Sequence, residues 1–127
     1  MGTVHLIDDD ASFLIGLTRL VTRAGFRVRT YSTAEEFLRQ YQNEEAPGCI
    51  ICDVEMPGMS GLELQVCLKE TQSTLPVVFL SACSHERISR AAMKAGALDF
   101  VTKPVGAEQL VNVLNRALAR ALEEDAE

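Results

Sequence analysis

The sequence predicts an α/β domain built on one doubly wound, five-stranded parallel sheet, a (βα)5 arrangement. Three observations predict it. Short, almost wholly apolar runs alternate with segments whose apolar residues recur every three or four positions. Runs that apolar need cover on both faces, which a parallel sheet flanked by helices supplies through right-handed crossovers. The 127 residues suffice for one core and one domain.

The elements follow in order. Val4 to Ile7 reads as a strand. From Ala11 to Ala24, residues Phe13, Leu14, Leu17, Leu20, Val21 and Ala24 line one helical face, and Gly25 ends that helix. Phe26 to Tyr31 is the second strand. Ser32 or Thr33 caps the next helix, with Glu35 and Glu36 in the first turn, where the helix dipole favours them. Pro47-Gly48 breaks the chain, and Cys49 to Asp53 forms an apolar strand ending in a carboxylate. Pro57-Gly58-Met59-Ser60-Gly61 has turn chemistry. A helix spans Leu62 to Glu70, Pro76 opens the strand Val77 to Leu80, and Ser84 or His85 starts a helix to Ala95 that Gly96 closes. Leu98 to Val101 is the fifth strand, and a helix runs from Ala107 to Leu122. Residues 1–122 are thus read as the domain, and 123–127 as an acidic tail or the start of a linker.

Charge narrows the function classes. The chain carries 12 Lys+Arg against 18 Asp+Glu. Eight of those acids sit in two places: Glu123, Glu124, Asp125 and Glu127 at the end, and Asp8, Asp9, Asp10 and Asp53 at strand ends. The remainder is nearly balanced and shows no basic stripe, which argues against direct nucleic-acid contact. No apolar run reaches the ~20 residues of a membrane span, and the first residues lack a secretory pattern. The four cysteines include Cys49 and Cys52 in C-x-x-C spacing. On a strand, residues three apart face opposite sides, so these read as small core residues and the compartment as cytoplasm. His5, on a covered strand, reads as a satisfied structural histidine.

Open parallel sheets bind ligands beyond the carboxyl ends of their strands. Here the first strand ends in Asp8-Asp9-Asp10, the third in Asp53, the fourth in Ser81, and Thr102-Lys103-Pro104 follows the fifth. Carboxylates gathered on one rim repel unless a cation sits among them. Lys103 supplies one charge, and a hard divalent ion such as Mg²⁺ suits the rest. Such a site can position a transferring phosphoryl group, with a carboxylate as acceptor.

These segments, together with Cys52-Asp53-Val54-Glu55-Met56-Pro57-Gly58-Met59-Ser60-Gly61, Met93-Lys94-Ala95-Gly96-Ala97 and Asp99-Phe100-Val101-Thr102-Lys103-Pro104, resemble two-component response-regulator receiver domains from Val4 to about Leu122. The wording is similar to receivers that precede LuxR-type helix-turn-helix domains. The resemblance implies a flavodoxin-like fold and a phosphorylation switch, not a turnover enzyme. It implies Asp53 as phosphoacceptor, and Asp9, Asp53 and the Glu55 backbone carbonyl as Mg²⁺ ligands, with Asp8 holding the ion through water. Ser81 resembles the switch hydroxyl, Lys103 the lysine that pairs with the phosphoryl group, and Phe100 the aromatic that turns inward. A cis Lys103–Pro104 bond, a sensor histidine kinase partner, a phosphorylation-dependent homodimer and transcriptional output through a DNA-binding domain outside this chain are implied likewise. Two features depart from the pattern: Ser81 stands where threonine is commoner, and Ala82-Cys83-Ser84-His85 is an unusual following loop.

Plainer readings compete. Asp10 also reads as the N-cap of the first helix, but three acids exceed what one cap needs. Met56 and Met59 read as loop packing, and Cys83 with His85 lacks a third group to orient a nucleophilic pair. Asp8-Asp9-Asp10 also reads as the D-x-D of a haloacid-dehalogenase-like phosphohydrolase, although the chain is short for that fold. A receiver-like module without phosphorylation would have lost an acid or the lysine. A flavodoxin-like nucleotide binder would need a Ser/Thr/Gly-rich loop where the aspartates stand.

Overall fold

The computed structural model describes residues 2–41, 48–71, 73–82 and 86–125, with backbone alone for 123–125. Five strands and five helices alternate: β1 (Thr3–Ile7), α1 (Ala11–Arg23), β2 (Arg27–Tyr31), α2 (Ala34–Gln40), β3 (Gly48–Asp53), α3 (Gly61–Glu70), β4 (Val77–Ser81), α4 (Glu86–Lys94), β5 (Asp99–Thr102) and α5 (Ala107–Asp125). All pairings are parallel, in the order β2-β1-β3-β4-β5. The expected fold class is therefore the observed one.

Strand alternation divides the core in two. Val4, Leu6, Cys49, Ile51, Val78, Leu80 and Val101 point toward α1 and α5, meeting Leu17, Val21, Leu110 and Leu114. Ile7, Ile50, Cys52 and Phe79 point the other way, onto Phe37, Leu64 and Ala92. Cys49 and Cys52 thus lie in opposite clusters, as their spacing on a strand requires. Burial pushes the Cys49 thiol up to about 12, so it stays protonated and packs as a small hydrophobe. His5 is buried too, its Nδ1 2.9 Å from the Tyr31 hydroxyl, among the rings of Phe37 and Tyr41.

Element ends have local causes. Asp10 caps α1, and Thr33 caps α2. Ser60 and Glu63 form a reciprocal capping box on α3. α1 closes with Phe26 N–H donating to the Val21 carbonyl and Gly25 N–H to that of Thr22, around Gly25 at φ +96°. α4 closes in the same way through Ala97 to Ala92 and Gly96 to Met93.

The structure departs from the sequence expectation at several boundaries. Phe26 is not a strand residue, because its N–H is taken by the helix cap, and β2 begins at Arg27. Cover on both faces does not extend to β2, an edge strand whose Arg27, Arg29 and Thr30 are exposed and whose arginines guard the free edge. Leu98 donates to the Val77 carbonyl one residue ahead of β5. α5 continues past Leu122 to Asp125, since Glu123 and Glu124 are good helix formers. Residues 83–85, which include the expected start of α4 and the Cys83/His85 pair, and Pro47 lie outside the described residues. Among the described residues no helix is long and apolar enough to cross a membrane.

Candidate functional site

Sheet register builds the site. β1 and β3 pair with Ile7 opposite Cys52, so Asp8 and Asp53, each one residue further on, emerge side by side. Asp53 lies opposite Leu80, and Ser81 follows Leu80 on the same rim, itself opposite Thr102. Lys103 N–H donates to the Ser81 carbonyl at 2.8 Å, which ties the start of the β5–α5 loop to β4. The Lys103–Pro104 peptide is cis, as the resemblance implied.

Side chains from three segments converge there. Asp8 is 2% exposed and uses both carboxylate oxygens: Oδ1 accepts from Asp10 N–H at 2.9 Å, and Oδ2 meets Lys103 Nζ at 2.7 Å. Lys103 Nζ also lies 3.6 Å from Asp53 Oδ2. Asp53, 8% exposed, accepts from Glu55 N–H at 3.3 Å through Oδ1. Asp9 is exposed, yet Asp8, Asp9 and Asp53 each place a carboxylate oxygen within 4.8 Å of the others.

The electrostatics follow. Burial raises the Asp53 pKa first, and the Asp8 charge raises it further; Lys103 and the Glu55 N–H pull it back only in part. Burial works against the Lys103 ammonium, but its hydrogen bond with Asp8 and the charges of Asp53 and Asp8 outweigh that and hold its pKa above the ordinary value. Three carboxylates against one ammonium leave an excess of negative charge. Three hard oxygen donors within 4.8 Å fit a small divalent cation, and oxygen-rich sites of this kind suit Mg²⁺.

The loop after Asp53 is held tightly. A Cβ on Gly61 would meet the Asp53 carbonyl oxygen at 2.8 Å and the Phe79 ring at 2.8 Å, so only glycine lets α3 start this close to β3. Gly61 is thus a close-approach residue more than the loop former its sequence context suggested. Gly58 adopts φ +75° with a Glu35 carboxylate oxygen against it, and Glu35 accepts from Met59 N–H at 3.3 Å.

The expected site residues fall into two groups. Asp8, Asp9 and Asp53 are in mutual reach and Lys103 joins Asp8 and Asp53, with Asp10 capping α1 beside them. Ser81 is buried at the adjoining strand end. Phe100 is half-buried against the second cluster, two strands away from Asp53 in the sheet order. Sequence reasoning missed two neighbours. The Phe13 ring lies under Lys103 Nζ, 4.2 Å from centroid to nitrogen, and Glu35 tethers the loop after Asp53. Position gave a clue to Phe13, which stands in the first turn of the helix that follows the aspartates.

Comparison with known proteins fits this rim of acids and one lysine. A family model described as "Response regulator receiver domain" matches residues 4–115. The chain belongs to that family. This receiver is 40% identical over 120 residues to "Response regulator protein TodT" of Pseudomonas putida, covering 94% of this chain and 52% of that one. It is 34% identical over 120 residues to "Transcriptional regulatory protein FixJ" of Bradyrhizobium diazoefficiens, covering 94% and 58%. The receiver therefore spans about half the length of the curated relatives it matches. Among solved structures, the response regulator StyR superposes with a TM-score of 0.89 at 38% identity over 97% of this chain and 62% of that one. The N-terminal part of FixJ gives 0.87 at 31% identity over 94% of both.

Proposed function

We propose that this receiver is a phosphorylation switch whose acceptor is Asp53. A carboxylate oxygen of Asp53 attacks the phosphorus of a kinase's phosphohistidine. The P–N bond breaks, its electron pair returns to the imidazole, and an acyl phosphate remains on Asp53. Asp9, Asp53 and the Glu55 carbonyl would hold Mg²⁺ directly, and Asp8 through water. Bound there, the ion neutralises oxygens of the transferring group. Lys103 exchanges part of its hold on Asp8 for a phosphoryl oxygen, and Ser81 donates its hydroxyl to another. Phe100 turns inward as Ser81 moves, and the α4–β5–α5 face changes its affinity for a second copy or a partner. The domain catalyses only its own phosphorylation and dephosphorylation.

The observation that carries this reading is the shared ammonium: Lys103 sits 2.7 Å from Asp8 and 3.6 Å from Asp53 in a pocket with excess carboxylate. The same geometry disfavours the phosphohydrolase alternative. Asp8 would be that enzyme's nucleophile, but both its oxygens are engaged and it is 2% exposed. The name of FixJ, a transcriptional regulatory protein, supports transcriptional output, which we assign to a DNA-binding domain outside this chain; we further take cytoplasm as the setting and 1–122 as the receiver ahead of a 123–127 tail or linker.

Intact-mass analysis after incubation with acetyl phosphate tests the acceptor. One adduct of a single phosphoryl group is expected, dependent on Mg²⁺ and absent in Asp53→Ala. An adduct that survives Asp53→Ala unchanged, or that maps to Asp8, would overturn the assignment.

A further inference from the structure

The Lys103 ammonium has a third neighbour besides two carboxylates. Its Nζ stands 4.2 Å from the centroid of the Phe13 ring, within cation–π range. That ring is held from two sides. Phe13 N–H donates to the Asp10 N-cap carboxylate at 3.1 Å, which fixes its backbone in the first turn of α1. Its side chain packs half-buried against the first core cluster. The ring is therefore a fixed platform, whereas the lysine reaches it on a flexible four-carbon stem.

We propose that Phe13 is a positioning residue for phosphoryl transfer, which holds the Lys103 ammonium forward between Asp8 and Asp53; this rests on the acceptor reading above. Two carboxylates compete for the ammonium. Asp8 is nearer than Asp53, 2.7 against 3.6 Å, so the closer carboxylate has the stronger hold on the ammonium. A π face attracts the cation without using any of its three N–H donors. The donors stay available while the nitrogen is kept where it can reach either carboxylate. A small rotation on the ring then passes an N–H from Asp8 to an incoming phosphoryl oxygen. An aliphatic side chain at position 13 would fill similar space, but it lacks the quadrupole that attracts the charge.

Two readouts test this with acetyl phosphate as donor and Mg²⁺ present. The initial rate of the Asp53 adduct, followed by intact mass, is expected to fall about fivefold in Phe13→Leu and to return to within twofold of wild type in Phe13→Tyr. In ¹H–¹³C spectra of the unphosphorylated protein, the Lys103 Cε protons are expected upfield through the ring current. That shift is expected to vanish in Phe13→Leu and persist in Phe13→Tyr. A loss of packing alone would not follow the aromatic face in both measurements, and thermal unfolding of each variant checks that both are folded. A Phe13→Leu rate equal to or above wild type, or a Lys103 shift unchanged by Phe13→Leu, would overturn the proposal. Absence of any adduct on wild-type Asp53 would instead overturn the acceptor reading, and the ring-current shift still scores the ring and ammonium alone.

Discussion

Asp53→Asn should stabilise the resting receiver. The substitution keeps the side chain's shape and the oxygen that accepts from Glu55 N–H at 3.3 Å, and it removes one charge. That charge faces Lys103 at 3.6 Å and two carboxylates with oxygens within 4.8 Å. At an effective dielectric constant of about 20, the lysine attraction is worth about 4.6 kcal/mol and each repulsion at that separation about 3.5 kcal/mol. Solvent screening cuts the share of exposed Asp9, so Asp8 alone nearly cancels the lysine. The burial of a residue only 8% exposed then tips the balance against the charge. We expect the variant to be more stable by about 1–2 kcal/mol at neutral pH in EDTA, a rise in Tm of about 3–8 °C for a domain this size.

The pH dependence has a definite sign. The native pKa of Asp53 is raised above its ordinary value, so folding takes up a proton in the window between the two. The contribution of Asp53 to wild-type stability falls as pH rises through that window and levels off above it. The gap to Asp53→Asn therefore opens with rising pH and closes below about pH 4. Urea unfolding between pH 4 and 8 reads it. Mg²⁺ at a hundred times its Kd should restore about 2.7 kcal/mol to wild type and much less to the variant. A variant less stable than wild type by 1 kcal/mol in EDTA, or a gap that does not change with pH, would refute the charge argument.

Further outcomes follow from other contacts. Lys103→Met leaves buried Asp8 with the Asp10 N–H but no cation; we expect about 2–3 kcal/mol of destabilisation in EDTA by urea unfolding, partly recovered in Mg²⁺. Gly61→Ala drives a Cβ to 2.8 Å from the Asp53 carbonyl oxygen and from the Phe79 ring, and should cost about 1–3 kcal/mol by the same measurement. Gly16→Ala, inside α1 with nothing within 4 Å of the new Cβ, should instead gain about 0.5–1 kcal/mol.

What was legible in the sequence depends on how local its cause is. The alternation of apolar runs with helical periods is read over windows of ten residues, so all five strands and five helices stood in the expected order. Strand ends were legible because the parallel sheet turns them all to one rim, which is why Asp8, Asp53, Ser81 and Lys103 could be named together. Boundaries failed where one backbone N–H had two possible partners. Phe26 is β-prone by type, yet its N–H closes α1 on Val21. The edge position of β2 was illegible for a different reason. Strand order is a non-local property, and Phe26 to Tyr31 reads simply as a strand until the sheet order shows that its alternating arginines stand at an edge. Glu35 escaped because its position in a first turn already had a sufficient explanation in the helix dipole, while its hydrogen bond to Met59 joins residues 24 apart.

The residues that make the site also bear on whether the domain holds together, and the two roles pull in opposite directions. Asp8 needs Lys103, since a carboxylate this buried without a cation would cost several kcal/mol. Under the proposed acceptor role, phosphoryl transfer to Asp53 would need the same ammonium a short distance away. A shift of that kind happens only if the new state offers Lys103 more than the old one does. A phosphoryl group brings up to two negative charges and three acceptor oxygens, against the single charge of an aspartate. A divalent ion beside Asp8 compensates the carboxylate that the lysine partly vacates. On the proposed reading, a phosphoryl group that drew Lys103 away would leave Asp8 short of a cation unless an ion stood beside it, so the metal and the phosphoryl group act as a pair.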